Sequence, residues 1–152
     1  MARTKDEMIP ILFRYFMAAS LMRQDFYKHL KEEPRIRGKD EVVDAAMFLV
    51  SKGGIHMCLW YGMLYVVIEG WREAKLSDPE VDRLLTSPNV EFLKRFRNGM
   101  FHFQKDQWLS PKLSDFMDPK LGSVDWVRSL TSEFRRFLMA EMDRISAKPA
   151  IP

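Results

Sequence analysis

Residues 97–102 bring together the side chains of this chain that are best suited to acid–base chemistry on a phosphate group. They read Arg-Asn-Gly-Met-Phe-His, so Asn98 directly follows Arg97 and His102 ends the segment. An imidazole exchanges a proton near neutral pH, and a guanidinium can hold a phosphate through two parallel hydrogen bonds. RNA carries its own nucleophile, the ribose 2′-hydroxyl. The pattern therefore fits RNA cleavage in which His102 moves a proton, Arg97 holds the phosphate and Asn98 orients either of them.

Basic and aromatic residues surround this motif in residues 91–106. We expect Lys94, Arg95 and Lys105 to add phosphate affinity that does not depend on base sequence. Four phenylalanines alternate with the charges, and their helical spacing favours a place in the core over base stacking: Phe92, Phe96, Phe101 and Phe103. Glu69, on a long apolar helix upstream, is a candidate polar partner for Arg97.

The succession of Arg97, Asn98 and His102 resembles the motif of the HEPN superfamily, the nucleotide-binding domain of higher eukaryotes and prokaryotes. Members of that superfamily are all-α, commonly form dimers, and carry an Arg followed a few residues later by a His, often with Asn directly after the Arg. The resemblance implies a homodimer in which two motifs meet and form a metal-independent endoribonuclease site. It also implies a toxin or phage-defence role, with RNA as the substrate and a cognate antitoxin protein as a partner.

Two interpretations of another class remain open. In the first, His102 is a charged helix cap and Arg97 pairs with a carboxylate such as Glu69 or Glu73, so that the chain is a non-catalytic protein-interaction module. Such a module would show a large exposed apolar patch. In the second, an aromatic-rich interior encloses a small-molecule cavity between Trp60, Tyr61, Tyr65 and Trp71.

Other sites that the residue types could form are less well supported. Arg23 and His29 repeat the spacing of an Arg and a His, but Gln24 follows the Arg instead of Asn, so we interpret this second match as accidental. The chain has three histidines and one cysteine, with no spacing typical of a zinc site and no glycine-rich phosphate loop. We therefore expect no metal and no cofactor.

Helical periodicity between short Pro- and Gly-containing breaks predicts the elements that position these residues. Asp40 is a predicted N-cap, the Asp78-Pro79 pair is a predicted helix start, and Ser123 is predicted to cap the last helix. We reject a strand at LYVVIEG, because this stretch has no alternation of apolar and polar residues. The predicted helices cover residues 5–32, 40–74 with a kink at Gly53-Gly54, 79–86, about 88–103, and from 123 onward.

These helices predict an all-α, HEPN-like bundle of four to five main helices, one of them long, central and kinked. The 152 residues fit a single domain over 1–147, with a frayed tail at 148–152. A hydrophobic fraction of 47% and a charged fraction of 30% are normal for a globular chain. The net charge of +3 permits an anionic partner, and the lone Cys58 excludes an intrachain disulfide. No apolar stretch is long enough to span a membrane, so we expect a cytoplasmic protein without membrane contact.

Overall fold

The computed structural model describes residues 3–32, 40–105 and 111–147. Within these ranges the chain forms seven α-helices and one 3₁₀ turn, and no β-strand. The α-helices are Lys5–Glu32 (α1), Glu41–Leu49 (α2), Lys52–Glu73 (α3), Pro79–Leu85 (α4), Asn89–Phe101 (α5), Pro111–Met117 (α6) and Ser123–Ser146 (α7), and the 3₁₀ turn covers Pro119–Leu121. The protein is therefore an all-α bundle, as predicted, with four longer helices and three short ones in the described part.

Helix α3 is the centre of the bundle and packs against α1, α2 and α5. It runs antiparallel to α1, because Gly70 near its end meets Leu12 while His56 near its start faces Asp25. The stretch LYVVIEG lies in α3, where Leu64 is fully buried. This helix confirms the rejection of a strand there. The segment is apolar because neighbouring helices surround it.

The predicted kink in the long central helix is a complete break that lies slightly earlier in the chain. Helix α2 ends at Leu49, Ser51 caps α3 by accepting a hydrogen bond from the Gly54 N–H at 3.0 Å, and the two helix axes differ by 74°. A Cβ atom at Gly54 would lie 1.9 Å from the carbonyl oxygen of Phe48. The glycine therefore lets the end of α2 pass close to the start of α3.

Two of the predicted helix starts are confirmed by their capping hydrogen bonds. The Asp40 carboxylate accepts from the N–H groups of the first turn of α2, and the Asp78 carboxylate does so for α4, with Pro79 at the first helical position. The third start differs from the prediction. Gly122, with a left-handed φ of 60°, precedes α7, and Ser123 is its first helical residue instead of its cap.

Long-range polar contacts hold α7 against the rest of the bundle. The Trp126 indole N–H donates to the Leu84 carbonyl oxygen at 3.0 Å, and Arg136 donates to Asp78 at 2.6 Å. Near the other end of α7, Arg144 donates to Asp6 at 2.6 Å, which brings the start of α1 beside the end of α7. These contacts join residues that are far apart in the sequence.

The turn between α3 and α4 contains Lys75, whose φ of 50° lies in the left-handed region.

No single helix in residues 3–32, 40–105 and 111–147 is long and apolar enough to cross a membrane. Helices α2 and α3 reach that length and composition only together, across their 74° bend. The predicted frayed tail at 148–152 lies outside the described residues.

Candidate functional site

Arg97 is held by three different groups and is still partly open to solvent. Its Nη1 donates to the Asn98 Oδ1 at 3.0 Å, and its Nη2 lies 3.8 Å from the Glu69 Oε2 of α3. Its guanidinium carbon lies 5.9 Å from the centre of the Tyr65 ring. The Arg97 side chain keeps 31% of its surface exposed. The structure thus brings Glu69 to Arg97, and it directs the Asn98 side chain towards Arg97.

Tyr65 forms the floor beneath this guanidinium as a neutral ring. Burial raises the pKa of Tyr65, and the negative charges of Glu69 and Glu91 raise it further, while Arg72 and Arg97 lower it by less. The phenol therefore stays protonated at neutral pH and offers an uncharged π face to the arginine.

His102 lies at the point where α5 stops being a helix. Its N–H still donates to the Asn98 carbonyl oxygen at 3.1 Å, but its backbone is extended, with φ −119° and ψ 132°. The Gln104 side chain donates to the His102 carbonyl oxygen at 2.6 Å and so caps the chain as it leaves the helix. Helix α5 therefore ends earlier than the predicted residue 103, and helical spacing does not set the direction of the His102 side chain, which is exposed.

Two of the four phenylalanines of this region are not in the core, contrary to the prediction. Phe96 is fully buried and Phe92 is partly buried, but Phe101 is 53% exposed and Phe103 is 89% exposed. Phe103 comes after the last helical residue, so it is not part of the apolar stripe of α5. His102 is therefore flanked in the chain by two exposed aromatic rings.

The three basic residues predicted to bind phosphate have different surroundings. Lys94 is exposed and lies 3.9 Å from Glu91, on the same face of α5 as Asn98. Arg95 forms a 3.0 Å ion pair with Asp115 of α6, so its charge helps to hold that short helix. Lys105, beyond the end of α5, is exposed.

Glycines allow the two helices beside α5 to come close to it. A Cβ atom at Gly99 would lie 3.1 Å from a methyl group of Leu113, so this glycine marks the contact with α6 of the same chain. A Cβ atom at Gly62 would lie 2.3 Å from the Phe101 ring, so α3 approaches the last turn of α5 through a residue without a side chain. The position of His102 therefore depends on both neighbours.

The second Arg–His match does not form one cluster in the structure. Arg23 packs on Tyr27 and Trp60, whereas His29 stacks on His56 with 5.0 Å between ring centres. His56 itself is half-buried, and its Nδ1 lies 2.7 Å from the Lys52 carbonyl oxygen.

The aromatic interior that could have enclosed a ligand is filled by its own side chains. Trp60, Tyr61, Tyr65 and Trp71 are all buried. The rings of Trp60 and Tyr61 are 4.8 Å apart, and Trp71 packs on Phe137 at 4.7 Å. These distances are typical of a close-packed aromatic core.

Within the described ranges no three His, Cys, Asp or Glu side chains converge as metal ligands would. Cys58 is buried in the core, and this burial raises its pKa to about 12. Its thiol is therefore protonated at neutral pH and cannot act as a nucleophile there.

Comparison of the chain with models of known protein families, with curated proteins and with solved structures finds no match. Residues 94–105 and the helices that hold them are therefore the basis for inferring a function.

Proposed function

We propose that the protein is a metal-independent endoribonuclease that cleaves single-stranded RNA at Arg97, Asn98 and His102. One observation carries the proposal. An exposed histidine follows directly on the helix that holds an anchored, solvent-accessible arginine, and exposed aromatic rings precede and follow that histidine in the chain. A histidine with only a capping or packing role would not need this combination.

The reaction uses the nucleophile of the RNA itself. His102 removes the proton of a ribose 2′-hydroxyl, whose oxygen then forms a bond to the adjacent phosphorus. The bond from phosphorus to the 5′-oxygen breaks, and that oxygen takes up a proton. The products are a 2′,3′-cyclic phosphate and a free 5′-hydroxyl group. Arg97 stabilises the additional negative charge on the phosphate oxygens in the transition state.

Asn98 and Glu69 have positioning roles in this scheme. The hydrogen bond from Arg97 to Asn98 fixes the plane of the guanidinium before RNA arrives. The contact of Arg97 with Glu69 is long, at 3.8 Å, and Glu69 is 47% exposed. An ion pair of this kind is worth only about 0–1 kcal/mol. A phosphate can therefore replace the carboxylate at the guanidinium without a large energetic cost.

In this proposal, aromatic side chains contact the RNA bases and basic side chains contact the backbone phosphates. Phe101 and Phe103 can stack on unpaired bases, which favours single strands over duplexes. Lys94 and Lys105 add affinity for the backbone phosphates. Arg95 contributes less to binding than the sequence alone predicts, because Asp115 already neutralises its charge.

The reaction needs two proton transfers, and each copy of the motif contains one imidazole. In a homodimer, as the HEPN resemblance implies, the His102 of a second copy would supply the other transfer. The same resemblance supports a role as a toxin or a phage-defence effector, held inactive by an antitoxin protein. Growth arrest on expression of the wild type, and normal growth with His102→Ala, would support this biological role.

Cleavage of a mixed single-stranded RNA in EDTA tests the proposal, with wild type, His102→Ala and His29→Ala compared at equal concentration. We expect the wild type and His29→Ala to give products with cyclic phosphate ends. His102→Ala should be slower by about 100-fold or more, since general acid–base catalysis contributes that much. Folded wild type that leaves the RNA intact, or His102→Ala that cleaves at the wild-type rate, would contradict the proposal.

A protein-interaction module is the second candidate, and one observation favours it. Apolar side chains on α2 and at its junction with α3 are exposed: Val42, Val43, Met47, Val50 and Ile55. Such a patch is typical of a protein-binding surface. If this candidate is correct, Val42→Asp abolishes capture of a protein partner while His102→Ala has no effect on it.

A further inference from the structure

Arg23 lies in the second half of α1, and its side chain is only partly exposed. Its guanidinium carbon is 5.4 Å from the ring centre of Tyr27 and 5.9 Å from that of Trp60. Aromatic faces attract a cation, but they do not neutralise its charge or accept paired N–H groups as a carboxylate does. The aromatic contacts therefore fix the position of the guanidinium without providing a counter-charge.

Arg23 differs from the comparable arginines of the described ranges. Three arginines there are partly exposed, namely Arg23, Arg95 and Arg97. Arg95 pairs with Asp115 and Arg97 lies beside Glu69, but no carboxylate of the described chain pairs with Arg23. A partly desolvated charge without a counter-charge is unfavourable for the folded state. An anion bound at Arg23 would offset this cost.

Hydrogen bonding at Arg23 is also incomplete. Among the described residues, the Arg23 Nε–H and the indole Nε1–H of Trp60 are buried and have no acceptor. Buried donors in native proteins nearly always have a partner, so these two N–H groups in contacting side chains are open to an acceptor from outside the described residues, such as water or a ligand.

A groove of about 440 Å³ opens beside Arg23. Among the described residues its lining includes Arg23, Gln24, Tyr27, Lys28, Lys31 and Glu32. Three of these side chains are positive and one is negative, and the Glu32 carboxylate lies 3.7 Å from His29. The groove is therefore an electropositive concavity of the size that small ligands use.

We propose that this groove is an anion site that binds the phosphate group of a nucleotide or of an RNA strand. A phosphate matches the excess of positive charge better than a single carboxylate does, and the planar guanidinium can hold two of its oxygens at once. The groove contains none of Arg97, Asn98 and His102, so the site does not depend on the proposed cleavage reaction.

Thermal unfolding of the intact chain at fixed ionic strength tests the site. The probes are inorganic phosphate, adenosine 5′-monophosphate, succinate, and a short 2′-O-methyl RNA that 2′-hydroxyl chemistry cannot cleave. A probe that binds only the folded chain raises the melting temperature, and the rise grows with the logarithm of the ratio of probe concentration to Kd. We expect Arg23→Gln to weaken phosphate binding by about tenfold or more. Arg23→Lys should retain part of the wild-type affinity, because lysine keeps the positive charge but lacks the two parallel N–H donors of the guanidinium.

Arg14→Gln is the matched control, because Arg14 lies on the same helix, packs on the neighbouring Tyr15 ring at 5.1 Å and does not line the groove. Its phosphate affinity should stay within about twofold of wild type. Binding of the small phosphates that depends on Arg23 identifies a free phosphate ester as the ligand, and binding of the oligonucleotide alone identifies an RNA backbone. The proposal is overturned if no probe depends on Arg23, if Arg14→Gln loses as much affinity, or if succinate binds as tightly as phosphate.

Discussion

Phe103 is the most exposed large apolar side chain in the described part of the protein, at 89% of its surface. Such exposure costs solvation free energy without any gain in packing, so the folded chain alone does not account for the ring. We propose that Phe103 stacks on an unpaired base of the RNA, a role that would account for its exposure.

Replacing Phe103 with Ala should therefore weaken RNA binding and leave the fold unchanged. Loss of one stacked base costs about 1–3 kcal/mol of binding free energy, which is about 5- to 150-fold in affinity. Phe103→Tyr keeps the ring and should bind as wild type does. Fluorescence anisotropy of a labelled single-stranded RNA measures both variants, and equal affinity of Phe103→Ala and wild type would exclude stacking at this ring.

The sequence predicts some of the site residues and misses others, for physical reasons. The Arg97–Asn98–His102 motif could be recognised because its members are close in sequence. Glu69 could be recognised as a partner because it lies on the face of α3 that is directed towards α5. The exposure of Phe103 could not be predicted with helical periodicity carried to residue 103, since that assumption places its ring in the same stripe as Phe96. Phe101 lies roughly 140° from Phe96 around an ideal helix, so its exposure agrees with the helical angle and the prediction of a core position was wrong for it. The described lining of the groove beside Arg23 comes from α1 alone, so periodicity assigns those residues to a solvated helix face; it does not predict the contact of Arg23 with Trp60 or the buried Arg23 Nε–H.

Asp78 shows how one residue stabilises two helices. Its carboxylate accepts from the N–H groups of Glu80 and Val81 at 3.1 and 3.2 Å, which caps α4, and it receives the 2.6 Å hydrogen bond from Arg136 of α7. Burial would raise the pKa of Asp78, but the hydrogen bonds from Arg136 and the backbone together lower it. The ionised form is therefore the one that the folded state stabilises.

Asp78→Ala should lower the free energy of unfolding by about 1–2 kcal/mol at pH 7, because it removes a cap together with an ion pair. Asp78→Asn should cost less, since Asn also caps helices. Asp40→Ala is the control, because Asp40 caps α2 and pairs with no arginine of the described ranges. Because the pKa of Asp78 is lower in the folded state, the difference in free energy of unfolding between wild type and Asp78→Asn has its full size above about pH 4. This difference disappears as the pH falls through the folded-state pKa. Urea unfolding at several pH values measures it, and a difference that grows with acidity would contradict this assignment.

Helix starts could be predicted better than helix junctions. The caps at Asp40 and Asp78 depend on local hydrogen bonds that a few residues specify. The 74° bend between α2 and α3 depends on close packing of Gly54 against Phe48, and periodicity carries no information about that contact. Helix α6 was not predicted, although Pro111 stands at its first position as Pro79 does in α4.

At the scale of the whole molecule, most buried apolar side chains of the described residues form one core cluster, and Cys58 belongs to it. A thiol reagent such as Ellman's reagent at pH 8 should therefore leave the folded protein unmodified, because the thiolate is scarce when burial raises the pKa to about 12. Addition of urea should give one equivalent of reaction at the rate at which the core opens. Fast labelling in native buffer, with an unchanged helical circular dichroism signal, would contradict the buried position of Cys58.

The contact between Arg144 and Asp6 has a consequence for how this chain could be rearranged. The start of α1 and the end of α7 are neighbours in space although 138 positions separate the two residues. A short glycine–serine linker could join them at a small cost in loop-closure entropy. New ends placed after Lys75 would remove the constraint that keeps its φ at 50°. A circular permutant made in this way would have the helix order α4 to α7 followed by α1 to α3, with the same bundle. Helix α5 would then lie near the new N-terminus and α3 at the new C-terminus, and the two helices would still meet at Arg97.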